Sequence, residues 1–150
     1  MKKWNRTRVM RPLMTAIAGL VMALSAQAQS VIKIGEINSY KAQPAFLEPY
    51  KKGMELAVEE INAKGGVMGR PIELVERDDA AKNALGVQIA QELINKENVV
   101  ATIGYINTGV ALASQRFYQE AEIPVMNCVA TGSAVTKQFV PPDHKANYIF

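Results

Sequence analysis

The sequence predicts an α/β fold built on a doubly wound parallel sheet, and three observations carry that expectation. Short β-branched runs (Val31–Ile37, Pro71–Arg77, Val99–Gly104) alternate with stretches of helical periodicity. One of these runs, Val99-Val100-Ala101-Thr102-Ile103-Gly104, is almost continuously apolar, as a parallel strand covered on both faces would be. Strand and helix follow one another at the spacing of crossover units, which favours parallel pairing with right-handed connections.

Val31-Ile32-Lys33-Ile34-Gly35-Glu36-Ile37 reads as the first strand. A loop is expected from Asn38 to Pro49, then a helix from about Tyr50 to Lys64. Met54, Ala57, Val58 and Ile61 form its apolar face, and Gly65-Gly66 stops it. Pro71–Arg77 alternates apolar and charged residues, as a strand with one exposed face does. Asp78 or Asp79 can cap the next helix, whose buried stripe is Leu85, Ile89 and Leu93, backed by Ile94. After the third strand a helix is expected from Thr108 to Ala121, with Val110, Ala113 and Phe117 inward. Ile123-Pro124-Val125-Met126 starts a fourth strand, and Asn147-Tyr148-Ile149-Phe150 reads as the start of a fifth.

The charge is uneven. The 150 residues carry a formal +3, but Lys2, Lys3, Arg6, Arg8 and Arg11 all lie in the first 28, which hold no acid. From Gln29 onward 12 basic residues face 14 acidic ones, so the main body has no basic patch and nucleic-acid binding has no support. The basic head precedes an uncharged run, Pro12–Leu24, shorter than the about 20 apolar residues a membrane span needs. Ser25-Ala26-Gln27-Ala28 then supplies small residues at a cleavage site. Residues 1–28 therefore read as a signal peptide cleaved after Ala28, and residues 29–150 as an exported, soluble part. The single cysteine, Cys128, cannot form an internal disulfide and reads as a small buried residue in a strand.

Ligands of open α/β sheets bind beyond the carboxyl ends of the strands. Those ends carry Asn38-Ser39-Tyr40, with Phe46 further on, then Gly104–Gly109, then Asn127–Ser133. They suit a small anion or zwitterion. Thr108 and Gly109 open a helix whose free N–H groups attract a carboxylate, and the Thr108 and Thr131 hydroxyls can donate. The Val129 carbonyl can accept from an ammonium group. Tyr40, Phe46 and Tyr105 can wall off an apolar side chain. Plain helix N-capping explains the threonines equally simply, and ordinary loop packing is the simpler reading of the aromatics.

Enzyme signatures are missing. The first strand is not followed by G-x-G-x-x-G, and the chain has no phosphate-loop, nucleophile-elbow or H-E-x-x-H pattern. One histidine, His144, and one cysteine offer little for nucleophilic catalysis. The expectation is a non-enzyme with no cofactor and no metal.

The stretch Gly53–Leu74, with its helix ending Ile61-Asn62-Ala63-Lys64-Gly65-Gly66 and the strand after Gly69, is the most specific. Together with Asp78-Asp79, Ile103-Gly104, Ile123-Pro124-Val125 and Ala130-Thr131 it resembles the type I periplasmic solute-binding proteins of ABC importers. The resemblance is to their branched-chain amino-acid (leucine/isoleucine/valine) branch and covers nearly all of residues 31–150. It implies the front part of the first lobe of a two-lobe, Venus-flytrap receptor, incomplete and stopping near the crossover to the second lobe. It implies that the Thr108 and Thr131 hydroxyls and nearby amides bind a ligand carboxylate, with Ile106 and Asn107 in the same ligand-binding set. Val129 would take the ammonium by its carbonyl and Phe46 would cover the ligand, with Tyr105 also counted among the ligand-binding residues. The partners implied are a small amino acid or related amide or carboxylate and a membrane permease, for a monomeric periplasmic protein. Some relatives carry a cysteine pair where this chain has Ala80-Ala81 and Asn107, and the first loop lacks the usual Ser-Gly. The alternatives are the sensor domain of a signalling receptor with the same fold, and a secreted α/β enzyme.

Overall fold

A computed structural model describes residues 30–150; the expected signal peptide lies outside the described residues. The elements are β1 (Ile32–Asn38), α1 (Pro44–Ala63), β2 (Ile72–Asp78), α2 (Asn83–Asn95), β3 (Ala101–Gly104), α3 (Thr108–Glu120), β4 (Val125–Asn127) and the single turn α4 (Ala134–Lys137). The four strands form one parallel sheet in the order β2-β1-β3-β4. The expected fifth strand is reduced to one bridge, Ile149 beside Val125, held by Val125 N–H to Tyr148 O and Phe150 N–H to Val125 O, each 2.8 Å.

Helices cover both faces, so the sheet is doubly wound. Alternation along β1 turns Ile34, Glu36 and Asn38 to one face and Lys33, Gly35 and Ile37 to the other. Glu36 pairs in register with Glu76, which Lys51 of α1 engages in an ion pair. Gly35 instead faces Leu93 of α2. The main core lies on that second side, where Ile37, Val75, Ile89, Leu93, Val110, Tyr118 and Val125 pack together. Arg77 ties β2 to α2 through Glu92 (2.8 Å) and, beyond the helix, through Glu97 (3.0 Å).

Helix α1 begins six residues before its expected start. Pro44 occupies its first turn, where a missing N–H costs nothing, and Leu47 N–H donates to Gln43 O at 3.1 Å. Pro49 sits inside the helix and does not delay its start. The buried stripe is Leu47 followed by half-buried Tyr50, Met54, Val58 and Asn62; Ala57 and Ile61 fall on the exposed flank. Gly65 and Gly66 (φ +99° and +72°) end the helix as expected, with Gly66 N–H donating to Ile61 O at 2.9 Å. Asn62 then fastens the next strand. Its Nδ2 donates to Ile72 O and its Oδ1 accepts from Ile72 N–H, both at 2.8 Å.

Three further expectations are corrected. The residue capping α2 is Lys82; Asp78 and Asp79 instead accept from the N–H groups of Ala80 and Ala81 and hold the turn before the helix. The buried face of α3 is Val110, Ala111, Ser114, Gln115 and Tyr118, while Ala113 and Phe117 are half-buried at its margin. Burying Ser114 is possible because its hydroxyl donates to Val110 O (2.8 Å) and accepts from the Tyr105 hydroxyl (2.9 Å). Cys128 is exposed, one residue beyond β4, with the Tyr50 hydroxyl 3.5 Å from its sulfur.

Candidate functional site

The order β2-β1-β3-β4 places a topological switch point between β1 and β3, because the chain leaves β1 toward one edge and returns on its other side. A crevice opens at the carboxyl ends of strands at such a point. The β1, β3 and β4 exits meet there.

The β3 exit turns sharply. Gly104 has φ +129°, and a Cβ there would lie 2.3 Å from Ile37 O, so only glycine fits. Tyr105 also has positive φ (+61°), its N–H donates to Ile37 O at 2.8 Å, and its side chain is fully buried. Burial pushes its phenol well above the ordinary tyrosine range. The expected aromatic wall residue thus lies in the core under α3.

The β4 exit runs alongside. Cys128 N–H donates to Gly104 O (2.8 Å) and Ala130 N–H to Tyr105 O (2.9 Å). Val129, between them, is half-buried, and its carbonyl accepts no hydrogen bond from the described residues. Gly132 N–H then reaches the Thr108 hydroxyl at 3.4 Å, and a Cβ on Gly132 would lie 2.4 Å from Thr108 Cγ2. Thr131 is exposed with its hydroxyl unengaged by the described residues. The structure therefore brings Ile106, Asn107, Thr108, Val129 and Thr131 into two adjacent loops. Phe46 lies in the first turn of α1, 56% exposed.

Neither threonine caps a helix. The residue before α3 is Asn107, and its side chain makes no cap bond to the helix. Its Nδ2 donates instead to Ser39 Oγ at 2.6 Å. The first-turn N–H groups of α3 are left without a side-chain acceptor, which suits an incoming carboxylate.

Residues outside the expected ligand-binding set support this loop. Asn38 Oδ1 accepts from Ile106 N–H at 2.9 Å, and Asn38 Nδ2 donates to Glu36 Oε1 at 2.5 Å. Ser39 Oγ donates to Asp79 Oδ1 at 2.5 Å. Glu36, Asn38, Ser39 and Asp79 are all buried. Burial raises the Glu36 carboxyl to about 7; the hydrogen bond from Asn38 and the nearby Tyr40 hydroxyl oppose the rise, and the Glu76 carboxylate adds to it. Burial and the nearby Glu36 also hold the Tyr40 phenol above its usual range. The signal in the sequence was Glu36 itself, an acid in the middle of a β-branched strand.

The sequence profile described as periplasmic binding protein matches residues 31–150. A Leu/Ile/Val-binding protein homolog 7 from Brucella suis is 35% identical over 128 residues, which is 85% of this chain and 32% of that protein. An amino acid binding protein from Pseudomonas aeruginosa is 32% identical over 119 residues, 79% of this chain and 32% of that one. Among solved structures, the branched-chain amino acid transporter substrate binding protein LivJ from Streptococcus pneumoniae, in complex with isoleucine, superposes with TM-score 0.64 at 31% identity, over 73% of this chain and 32% of that one. A solute binding protein of an ABC transporter from R. palustris, in complex with 4-hydroxybenzoate, gives TM-score 0.66 at 32% identity, over 73% of this chain and 30% of that one. The chain thus spans about a third of the length of the relatives it matches. With its parallel sheet, its helix–Gly-Gly–strand unit and this profile match over residues 31–150, the chain belongs to the periplasmic binding protein family.

Proposed function

We propose that this chain supplies the first-lobe half of a ligand cleft in an exported receptor of an ABC-type importer. The ligand is a small amino acid or a related carboxylate. The observation that carries the reading is the meeting of the β3 and β4 exits at the switch point, where Gly132 N–H approaches the Thr108 hydroxyl beside the open first turn of α3. The amides and the Thr108 and Thr131 hydroxyls receive the carboxylate, and the free Val129 carbonyl receives an ammonium group. Ile106 and Asn107 shape the loop, and Phe46, exposed on α1, covers the ligand from the side. Tyr105 acts from beneath, as packing for the turn. Residues 1–28 direct export to the periplasm. A second lobe closes over the ligand, and the closed form, a soluble monomer, docks on a membrane permease; closure follows because the ligand touches both lobes only in that state.

The relatives' ligands set the probes. Isoleucine and 4-hydroxybenzoate share a carboxylate and differ in the ammonium group. Thermal shift of the two-lobe protein should show stabilisation by one of them, worth about 2.7 kcal/mol at a hundredfold excess over Kd. Stabilisation by isoleucine alone assigns the Val129 carbonyl its ammonium role. No shift with either, and with leucine or aliphatic amides, overturns the reading.

A further inference from the structure

The last backbone bond between β1 and the β3 exit is Tyr105 N–H to Ile37 O. Beyond it the two chains are joined by side chains alone. Two consecutive residues of β1 and its exit, Asn38 and Ser39, grip two consecutive residues of the loop, Ile106 and Asn107, at 2.9 and 2.6 Å. Each gripping residue is itself held by a buried carboxyl, Asn38 by Glu36 and Ser39 by Asp79, both at 2.5 Å. Asp79 N–H also donates to Asn38 O at 3.0 Å, so the two grips share a backbone link.

We propose that Asn38 and Ser39, backed by Glu36 and Asp79, are positioning residues that aim the amino end of α3 at the ligand carboxylate. The proposal rests on the ligand-binding reading above.

Two observations separate this role from simple packing. An asparagine at a helix N-cap ordinarily turns its side chain onto the helix's own N–H groups. Asn107 turns away, onto Ser39, and the first-turn N–H groups stay open. The supports are also expensive, since Glu36 Oε2 and Asp79 Oδ2 are buried without a hydrogen-bond partner. An apolar pair would join the strands at less cost, but it could not orient an N–H and an amide.

The test uses the two-lobe protein with isoleucine and 4-hydroxybenzoate as probes. Ser39→Ala, Ser39→Thr, Asn107→Ala and the Ser39→Ala/Asn107→Ala double variant are compared by calorimetric Kd, Tm and amide hydrogen exchange at residues 106–110. Ser39→Ala is expected to weaken binding on the order of tenfold and to speed exchange at residues 106–110 without ligand. Ser39→Thr, which keeps the hydroxyl, should restore both. The double variant should be no worse than Ser39→Ala alone. A fall in Tm with unchanged Kd and unchanged exchange overturns the proposal, because the network then only stabilises. If the parent protein binds neither probe, the binding reading fails and this proposal falls with it; if the parent binds, the Kd and exchange of the variants decide this one separately. Unchanged exchange at residues 106–110 rejects the positioning role, and faster exchange restored by threonine supports it.

Discussion

Asn38 Nδ2 lies 2.5 Å from Glu36 Oε1, on a carboxyl with no solvent exposure. The groups around that carboxyl are Glu76 from β2, Lys51 and Tyr50 from α1, and Tyr40 from the turn between β1 and α1. Burial outweighs the polar contacts, so the acid titrates near 7 when folded, against a usual 4.5. Between those values the folded chain holds a proton that the unfolded chain has released. Stability therefore falls as pH rises through this window and levels off above it. The loss is on the order of 3 kcal/mol. Glu36→Gln should remove this slope: close to the parent near pH 4, and more stable than the parent near pH 8. Urea unfolding across pH 4–8 checks it, and a slope that survives the substitution would refute the assignment to Glu36.

Gly104→Ala tests the β3 exit. The new methyl would meet Ile37 O at 2.3 Å in a backbone conformation that alanine rarely adopts. The positive φ alone costs about 1–3 kcal/mol. A clear drop in urea midpoint is expected, and a midpoint equal to the parent's would show that the exit can take another path.

Gly132→Ala should behave differently. Its Cβ would lie 2.4 Å from Thr108 Cγ2, in a loop and not in the core. Thr108 is expected to yield, so ligand affinity falls while Tm changes little. Paired calorimetry and thermal melts distinguish this from a folding defect.

Thr108→Ala and Thr131→Ala remove the two hydroxyls assigned to the carboxylate. A hydrogen bond to a charged group is worth about 1.5–3 kcal/mol. Each variant should weaken binding about tenfold or more. Thr131→Ala is the cleaner case, because its hydroxyl makes no hydrogen bond to the described residues. Full affinity in both would place the carboxylate elsewhere.

Asn62→Ala deletes both bonds to Ile72. A loss of about 1–3 kcal/mol is expected, since the strand's first N–H and C=O lose their partner together. Hydrogen exchange at the start of β2 should rise with it.

Local pattern was enough for much of the fold. The stripe residues Ile89 and Leu93, with Leu85 half-buried beside them, and the stop at Gly65-Gly66 were legible because periodicity and backbone preference act between near neighbours. The early start of α1 was hidden because Pro49 looked like a boundary, whereas Pro44 serves as a first-turn residue and Pro49 lies within the helix. The buried face of α3 was misjudged because Ser114 and Gln115 are polar, and the Tyr105 hydroxyl with the Val110 and Ala111 carbonyls makes room for Ser114 inside.

The candidate site divides in the same way. Thr108, Val129 and Thr131 could be named from their places at strand ends, since ligand position in an open sheet follows from topology class. The partners of their supports could not. Asn38 meets Ile106 across 68 residues of sequence, and Ser39 meets Asp79 across 40. By itself the sequence determined the alternation of strands and helices, the glycine stops and the list of polar strand ends, all local properties. Only the tertiary structure decided the order β2-β1-β3-β4, the burial of Tyr105, and which side chains hold the loop between β3 and α3. Those depend on which distant segments share the sheet, and contacts of that range leave no period in the chain.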